Sequence, residues 1–332
     1  MFLLIKDHLE KIEKKLKDFL LDSEIDVEKV YKATSHLLFS GGKRLRPALC
    51  LLSCLIFEKD NEKLLEKAQN IAVAIEYIHS ATLLHDDVID NANLRRGKPS
   101  SNFLYGNEVA VLSGDYLFSQ ALKIIVENSN LDYLLLTLET IKKMVQGEIF
   151  QLDKLFDIDI KEWEYFYIVS AKTARLMANA LSLYPYFLKE DENSLILKSK
   201  LFNIGEYLGY AFQLIDDLLD YIGDEKTFGK PILNDIKEGK VTYPLLKALE
   251  KASHKEKEKI KDILEKIKNK SYFKEDLKYI KDIVIKYKGD KETLKTAKEF
   301  IEGAKKLILE LPQNEYSLLL YNLSDFIINR TY

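Results

Sequence analysis

Hydrophobic residues recur every three or four positions along most of this chain, which is the spacing of one face of an α-helix. Near the start they fall at Leu9, Ile12, Leu16 and Leu20, and a second such series fills residues 64–78. The alternation of apolar and polar residues that is typical of strands is scarce. The pattern therefore predicts an all-α protein built from long helices.

Segments rich in glycine, proline and charged residues interrupt the helical pattern at 40–47, 91–102, 183–193 and 221–240. We expect these four segments to be loops between helices. With only 13 Gly and 6 Pro among 332 residues, the chain has no stretch with the composition of a flexible linker. A single domain over residues 1–332 is therefore predicted.

Composition narrows the class of protein. Hydrophobic residues make up 47% of the chain and charged residues 31%, as in a globular protein with a large core. The net charge is −3, so general attraction to nucleic acid is not expected. Cys50 and Cys54 lie four residues apart within an apolar run, which favours burial over a redox or metal motif and fits a reducing cytoplasm. The opening MFLLI is too short for a signal-peptide core, and no apolar run reaches the roughly 18 residues of a membrane span, so we expect a cytoplasmic protein.

The segments LLHDDVID at 83–90 and FQLIDDLLD at 212–220 both end an apolar stretch with three aspartates in the same spacing. The first cluster is Asp86, Asp87 and Asp90, and the second is Asp216, Asp217 and Asp220. On a helix these carboxylates converge and repel one another, and the negative end of the helix dipole adds to the repulsion. Each cluster therefore needs neighbouring cations.

Exposure of a polar helix end to water would explain one such cluster, but two matched copies among leucines and isoleucines favour a binding site. Ligands that are all oxygen, without Cys or His at zinc spacing, favour Mg²⁺. Mg²⁺ commonly accepts one or two carboxylates and fills its other positions with water and phosphate oxygens. The expected ligand is therefore a phosphorylated substrate.

Basic residues occupy several of the predicted loops. Any one of them is by itself an ordinary surface cation, but together they can hold more than one polyphosphate, since Arg binds phosphate in bidentate fashion and Lys as a point charge. The basic candidates are Lys43, Arg44 and Arg46 in GGKRLRP, Arg95 and Arg96 in LRRG, Lys172 in AKTAR, where the polar Thr173 follows it, and Lys230 in FGKP.

The order of these motifs resembles that of the trans-isoprenyl diphosphate synthases, the polyprenyl synthetase family, from about Gly41 to Pro244. The matching segments are GGKRLRP, LLHDDVID, LRRGKPS, GDYLF, KT, FQLIDDLLD and GKPILNDIKEGK. The resemblance implies an all-α bundle around a deep central cavity, of the isoprenoid synthase type, commonly as a homodimer. It also implies an enzyme that joins isopentenyl diphosphate to an allylic diphosphate, head to tail and in trans.

The resemblance assigns roles to individual residues. Three Mg²⁺ ions per active site would be held by Asp86, Asp90 and Asp216, supported by Asp87, Asp217 and Asp220. The allylic diphosphate would be bound by Arg95, Lys172, Gln213 and Lys230, and isopentenyl diphosphate by Lys43, Arg46, His79 and Arg96. Catalysis would depend on Asp86, Asp87, Asp90, Lys172, Asp216, Asp217 and Lys230, with lesser roles for Thr173, Asp235 and Lys240. His79 could instead be a core histidine, but it lies two helical turns before Asp86 on the same face.

The implied chemistry follows from these charges. Mg²⁺ and the basic side chains stabilise negative charge on the leaving diphosphate, so the allylic C–O bond ionises to a carbocation. The isopentenyl double bond attacks that cation, and a proton then leaves C2 of the added unit for the released diphosphate, because no side chain stands out as a base. An apolar pocket must exclude water, which would quench the cation.

Leu233 and two small residues bear on the details of this function. The family usually has glycine where Leu233 lies, and the change affects how the loop closes over diphosphate and where Asp235 is placed.

In this family the growing product passes down the cavity from the first aspartate cluster, and short-chain synthases generally have an aromatic residue in the region of Ala81 and Thr82. An open tunnel is therefore expected.

An open tunnel predicts a long product, heptaprenyl to nonaprenyl, of the kind used in quinone side chains and delivered to a membrane. The tunnel floor is expected deeper, on residues 144–151 or around Ile75 and Ile78.

A short-chain farnesyl or geranylgeranyl synthase is the first alternative. A non-catalytic subunit of a heteromeric synthase would be expected to have lost carboxylates or basic anchors, whereas both clusters are complete here. A terpene cyclase or head-to-head condensing enzyme would need no isopentenyl site, and the GGKRLRP segment together with His79 and Arg96 argues against it.

Overall fold

The computed structural model describes residues 2–21, 28–223 and 232–330, and over these residues the fold is all-α, as the hydrophobic pattern predicts. The helices are α1 (Lys6–Leu21), α2 (Glu28–Leu38), α3 (Leu45–Glu58), α4 (Glu62–Ile89), α5 (Ser101–Tyr105), α6 (Asn107–Asn128), α7 (Leu131–Asp153), α8 (Glu162–Val169), α9 (Arg175–Leu181), α10 (Glu192–Ile222), α11 (Asn234–Lys237), α12 (Tyr243–Lys251), α13 (His254–Lys268), α14 (Lys274–Lys286), α15 (Gly289–Ile308) and α16 (Glu315–Asn329). Short 3₁₀ turns occupy Phe2–Ile5 and Tyr184–Phe187, and a π-helical turn occupies Ser170–Ala174. A two-stranded antiparallel ribbon pairs β1 (Leu94–Arg95) with β2 (Lys98–Pro99).

Three of the predicted loops lie between helices as expected. Residues 39–44 join α2 to α3, the β-ribbon lies within 91–102, and 183–193 contains a 3₁₀ turn. In the part of the fourth segment that the structure describes, α10 ends at Ile222 and the short helix α11 lies within residues 232–240. The glycine, proline and charge pattern therefore located the helix ends.

The chain forms two compact units, and several helices run from one into the other. The first unit comprises residues 1–141, 176–205 and 308–320, and the second comprises 142–175, 206–307 and 321–332. All five boundaries fall inside helices, namely α7, α9, α10, α15 and α16, rather than in polar linkers. The expectation of a single domain stays a prediction.

Helix α4 runs through the core of the first unit and packs against α3 and α6. It begins at a cap where Asn61 Oδ1 accepts the Leu64 backbone N–H (3.1 Å), which satisfies a donor that the first helical turn leaves unpaired. From Leu64 to Leu84 most of its side chains are buried. Gly114 of α6 approaches His85 so closely that a Cβ there would lie 2.3 Å from the imidazole ring. This contact fixes α6 against the end of α4 that carries the first aspartate cluster.

Helix α3 is buried along most of its length and includes both cysteines. Cys50 and Cys54 are free and buried, as the sequence predicts. Burial raises the pKa of both thiols, which keeps them protonated and therefore poorly reactive. Their contribution is to packing.

An aromatic cluster organises the core of the second unit. It consists of Tyr165 and Phe166 on α8, Tyr210 on α10, Tyr243 on α12 and Phe300 on α15, with neighbouring ring centroids 4.8–5.7 Å apart. Offset and edge-to-face contacts at such distances add to the stabilisation that burial of the rings supplies. The cluster holds α8 beside α10, and thereby brings Tyr165 to the second aspartate cluster.

Helix α6 is, by length and composition, apolar enough to cross a membrane, and it alone meets this criterion among the described residues. It carries Glu108, Asp115 and Lys123 along its length, and it packs against α4 in the first unit. Core helices of globular proteins satisfy the same criterion. The expectation that the chain has no membrane span stays a prediction.

Candidate active site

The first aspartate cluster ends α4, where Asp87 is buried while Asp86 and Asp90 keep access to solvent. Arg95, on β1, donates from Nε to Asp87 Oδ1 (2.8 Å) and from Nη2 to the same oxygen. Asn102 Nδ2 donates to the Asp87 carbonyl oxygen (3.2 Å). A buried carboxylate needs such partners, because taking a charge out of water costs several kcal/mol. Asp87 is therefore held internally, and the two outer aspartates carry the accessible oxygens.

His79 lies on α4 among arginine side chains. Burial, followed by the positive charges of Arg46, Arg96, Arg95 and Arg44, holds the pKa of His79 well below its usual value. The imidazole is therefore neutral at physiological pH. The structure thus brings together His79, Arg46 and Arg96, three of the four residues predicted to bind isopentenyl diphosphate.

Lys43, the fourth of these residues, is exposed in the loop before α3. Two glycines precede it, and Arg96 Nη1 donates to the carbonyl oxygen of Gly41. A Cβ on Gly42 would lie 3.2 Å from that same nitrogen, so glycine leaves room for the guanidinium group. The Gly-Gly pair therefore seats Arg96 against the loop that carries Lys43.

Arg44 has a different function from its neighbours in GGKRLRP. Its guanidinium group donates to Glu76 Oε1 (2.7 Å), to the Glu13 carboxylate and to the Leu38 carbonyl oxygen (2.6 Å). These bonds join α1, α2 and α4 at the start of α3. They correct the expectation that all three cations of this motif serve an anion site.

The second aspartate cluster lies on α10, and Asp217 is its buried member. Tyr165 Oη donates to Asp217 Oδ2 (2.6 Å), and Gln213 Nε2 donates to Asp217 Oδ1 (2.8 Å). Burial raises the pKa of Asp217 to about 7, and the charges of Asp216 and Asp220 act in the same direction. The two hydrogen bonds oppose the shift, but both donors are neutral, so burial dominates.

Asp216 is half-buried and pairs with Arg330, whose Nη2 lies 2.6 Å from Asp216 Oδ1. Arg330 directly follows α16 and is buried. It donates to the Phe212 carbonyl oxygen (2.5 Å), and its guanidinium carbon lies 3.8 Å from the centroid of the Phe212 ring. Sequence reasoning missed Arg330. The only signal was a lone arginine after a mostly apolar helix.

Asp220 joins α10 to the loop that contains α11. Its carboxylate accepts the backbone N–H groups of Asn234 (3.0 Å) and Asp235 (3.2 Å). Leu233, where the family usually has glycine, adopts a left-handed conformation with φ of 60°, which costs a residue with a Cβ about 1 kcal/mol. Because the Leu233 side chain is buried, apolar burial offsets this strain. The loop therefore keeps its bonds to Asp220 with leucine in place of glycine.

Asp235 lies close to the same cluster. Burial, followed by the charges of Asp220 and Asp217, raises the pKa of Asp235 well above its usual value, and the charge of Lys240 opposes this shift. The two residues given lesser roles in this loop, Asp235 and Lys240, are therefore near the second cluster. Lys230, the other cation predicted here, lies outside the described residues.

Lys172 and Thr173 lie on the π-helical turn 170–174, a type of turn that is frequent at functional sites. Lys172 forms an ion pair with Glu148 of α7, a residue that sequence reasoning did not identify. Thr173 Oγ1 donates to Gln213 Oε1 (2.9 Å), and Gln213 in turn donates to Asp217. The π-helical turn and the second cluster are thus joined by one chain of hydrogen bonds.

Small residues let the neighbouring helices approach this turn. A Cβ on Gly147 of α7 would lie 2.4 Å from the Cβ of Ala171, and a Cβ on Gly209 of α10 would lie 2.4 Å from the Cα of Ala174. Real Cβ atoms do not approach other atoms so closely, so a larger residue at either glycine would force the helices apart. The two glycines therefore fix the position from which Lys172 extends.

The donor atoms fit a metal ion that binds together with a phosphorylated ligand. Within the described parts of the chain, no three His, Cys, Asp or Glu side chains form a ready-made metal site. Mg²⁺ commonly takes only one or two carboxylates and completes its octahedron with phosphate oxygens and water. Asp86 and Asp90 in the first unit, and Asp216 in the second, have carboxylates that are at least partly accessible. Their assignment as metal ligands stays a prediction.

Comparison with known proteins identifies the family. Residues 27–284 match the family model described as polyprenyl synthetase. The chain belongs to this family. It is 37% identical over 276 residues to the geranylgeranyl diphosphate synthase of Sulfolobus acidocaldarius, which covers 80% of this chain and 79% of that protein. It is 35% identical over 243 residues to the octaprenyl diphosphate synthase of Escherichia coli, 72% of each chain.

A solved polyprenyl synthetase has the same fold. The crystal structure of polyprenyl synthase from Caulobacter crescentus, complexed with calcium and isoprenyl diphosphate, matches with a TM-score of 0.89 and 31% identity over 100% of this chain and 97% of that chain. The all-α fold, the family resemblance and the enzyme class are confirmed, and this polyprenyl synthetase is a trans-prenyltransferase. Its relatives are named for products of different lengths, and the roles of individual site residues stay predictions.

Proposed function

We propose that this polyprenyl synthetase condenses isopentenyl diphosphate with an allylic diphosphate and repeats the reaction to heptaprenyl to nonaprenyl length. The proposal depends mainly on a structural feature that the two aspartate clusters have in common. Each buries its middle aspartate, Asp87 or Asp217, in internal hydrogen bonds and keeps outer carboxylates near solvent. The relative crystallised with calcium and isoprenyl diphosphate supports a divalent metal, which we take to be Mg²⁺, on Asp86, Asp90 and Asp216.

Bound Mg²⁺ supplies positive charge to the departing diphosphate, and the protein's own cations assist it. Arg95 is oriented by its bonds to Asp87, and Lys172 by its ion pair with Glu148, so both cations are placed before the substrate arrives. Such preorganisation lowers the cost of stabilising the leaving group. Gln213, fixed between Thr173 and Asp217, would bind the same diphosphate.

The second substrate has its own set of donors. Arg46, Arg96 and Lys43 carry charges suited to the diphosphate of isopentenyl diphosphate, and His79 lies among them as a neutral donor. Because the pKa of His79 is held low, this imidazole is a poor base. The proton that leaves C2 of the added unit therefore passes to the released diphosphate.

The proposed product length depends on α4 just before the first cluster. Ala81 is small and fully buried, and Thr82 is half-buried with its hydroxyl bonded to the His79 carbonyl oxygen (2.8 Å). Neither side chain is large enough to stop a growing polyprenyl chain. A farnesyl or geranylgeranyl product would instead need a bulky residue at this level.

The experiment is mass analysis of products made from isopentenyl diphosphate, Mg²⁺ and each allylic primer. We expect heptaprenyl or longer diphosphates, and farnesyl or geranylgeranyl diphosphate as the only products would contradict the proposed length. Ala81→Phe should shorten the product while the first condensation keeps its rate. Because Ala81 is fully buried, an added ring costs about 1–3 kcal/mol wherever it displaces neighbouring atoms, so the variant's thermal stability must be measured beside its product.

A homodimer is part of the proposal. Helices α6 and α7 expose apolar side chains, Leu112 and Val126 on the first and Leu131, Leu135 and Leu138 on the second, with 41–66% of each residue accessible. Rows of such residues are typical of interfaces. Light scattering of the purified protein should give twice the chain mass, and Leu135→Lys should lower it.

We propose a cytoplasmic enzyme that delivers its apolar product to a membrane. The rival role of a non-catalytic subunit is disfavoured because both clusters keep their carboxylates and because Arg95 and Lys172 are held in place. Turnover by the purified chain alone would exclude that role. Consumption of isopentenyl diphosphate would exclude a terpene cyclase.

A further inference from the structure

Arg330 is a buried arginine at the second aspartate cluster, and the proposed reaction assigns it no role. Its side chain is 1% exposed, yet it bonds to the half-exposed carboxylate of Asp216 at 2.6 Å. The Phe212 carbonyl oxygen and the face of the Phe212 ring hold the guanidinium group from α10. Burying a guanidinium group costs free energy. The contacts with Asp216 and with the carbonyl oxygen and ring of Phe212 offset that cost and fix the position of the group.

The charge of Arg330 opposes a metal ion at the same carboxylate. A divalent ion on Asp216 would lie within a few ångströms of the guanidinium group, and like charges at a half-buried position are weakly screened. The carboxylate alone carries too little negative charge for both cations. A diphosphate brings further negative charge, which offsets both.

We propose that Arg330 is the counter-cation of Asp216 in the metal-free enzyme and competes with divalent metal for this carboxylate. Metal then binds tightly at Asp216 only together with diphosphate. The inference depends on the proposed function, because it takes Asp216 to be a metal ligand. It makes Arg330 a positioning residue that holds the carboxylate until the charged substrate arrives.

The test measures binding of Mn²⁺ alone to the metal-free protein, without turnover. The electron paramagnetic resonance signal of free Mn²⁺ monitors the binding. Arg330→Met removes the charge and keeps the apolar contact with Phe212. It should bind Mn²⁺ about tenfold more tightly than the wild type. In the presence of inorganic diphosphate the difference should shrink, because the added negative charge offsets the arginine. Arg330→Lys keeps the charge and should behave as the wild type.

Lys305→Met is the matched control. Lys305 pairs with Asp325 (2.6 Å) and lies over the Tyr321 ring in the same unit, so the variant removes a cation whose carboxylate partner is not Asp216. It should leave the affinity for Mn²⁺ unchanged. A damaged fold would weaken Mn²⁺ binding, whereas loss of a competing charge should make Mn²⁺ binding tighter. The direction of the change in affinity therefore distinguishes a damaged fold from the proposed competition. If Arg330→Met does not fold, Arg330→Gln replaces it.

Asp216→Asn separates this inference from the proposed function. If Asp216→Asn weakens Mn²⁺ binding but the folded Arg330 variants bind no more tightly than the wild type, the inference fails and the metal role of Asp216 stands. If Asp216→Asn has no effect on Mn²⁺ binding, the ligand assignment fails and the inference fails with it. If the Arg330 variants bind more tightly and Asp216→Asn cancels that gain, the inference is supported whether or not product is formed.

Discussion

The two aspartate clusters have the same spacing but hold their buried charge in different ways. In the first, Asp87 bonds to Arg95, a cation from the strand that follows it directly along the chain. In the second, Asp217 bonds to Tyr165 and Gln213, which are neutral. The first is an ion pair, whereas the second is a hydrogen-bonded carboxyl group whose pKa is raised to about 7.

This difference shows that two motifs with the same spacing can differ in the charge of their buried aspartate. Spacing on a helix decides where the carboxylates lie, but partners from other elements decide what charge they carry. The first cluster should therefore respond most strongly to loss of its arginine. The second should respond to pH.

Removal of the cation from the first cluster should have the largest effect on stability. Arg95→Met leaves Asp87 buried without its charged partner, which should lower the free energy of unfolding by about 3 kcal/mol. Urea unfolding at neutral pH measures this loss. The double variant with Asp87→Asn buries no unpaired charge and should recover part of the stability. An equal loss in both variants would show that the ion pair does not hold this cluster.

Raising the pH should destabilise the second cluster. The pKa of Asp217 is about 7 in the folded protein, above its ordinary value of 3.8, so the folded state binds this proton more tightly than the unfolded state. The resulting stability is complete below about pH 3.8 and is lost as pH rises through 7, with roughly 2–3 kcal/mol of the loss falling between pH 5 and pH 8. Burial also raises the pKa of Asp220 and Asp235, and both act in the same direction.

The measurement for this prediction is urea unfolding of the metal-free protein at pH 5 and pH 8. Asp217→Asn is the control because its amide does not titrate. The wild type should lose more stability than this variant over the interval. An equal change in the two proteins would contradict the raised pKa.

Loss of one neutral donor should have a smaller effect, and one that depends on pH. Tyr165→Phe removes a hydrogen bond that lowers the pKa of Asp217, and it should cost about 1 kcal/mol at pH 8. At pH 5, where Asp217 is protonated, the cost should be lower. Tyr243→Phe is the matched control, since its hydroxyl group bonds to Glu162 instead (2.7 Å). If Tyr243→Phe shows the same dependence on pH, the effect does not come from Asp217.

The smallest effect is expected at Leu233. Leu233→Gly relieves the left-handed backbone but loses the buried side chain, so the free energy of unfolding should change by less than about 1 kcal/mol. Leu233→Ala loses most of the same burial without relieving the strain. Thermal unfolding should therefore show the alanine variant to be less stable than the glycine variant, although alanine is larger. The reverse order would mean that the backbone at this position is not strained.

The helices, the spacing of the aspartates and the order of the motifs could be predicted because all three depend on neighbours along the chain. Periodicity locates α4 and α10, and helical geometry then places Asp86 and Asp90 on one face. The pairing of Asp87 with Arg95 was also within reach, since the arginine follows the cluster by eight residues. Each of these features depends on residues that are close together in the sequence.

Contacts between distant segments could not be predicted. Arg330 reaches Asp216 from after α16, and Tyr165 reaches Asp217 from α8, and no spacing rule connects either pair. Arg44 shows the converse error. It is only two residues from Arg46, yet its left-handed backbone at the start of α3 directs it to Glu13 and Glu76.

The π-helical turn at 170–174 has a consequence for how this segment can change. Here the Arg175 N–H bonds to the Ser170 carbonyl oxygen, so the turn contains one residue more than an α-helical turn. Deleting one of these residues would restore a regular α-helical turn, because a π-helical turn takes up one extra residue by widening. The Lys172 and Thr173 side chains would then leave the positions from which they reach Glu148 and Gln213, even with every other side chain unchanged. In this segment the number of residues is under tighter constraint than their chemical identity.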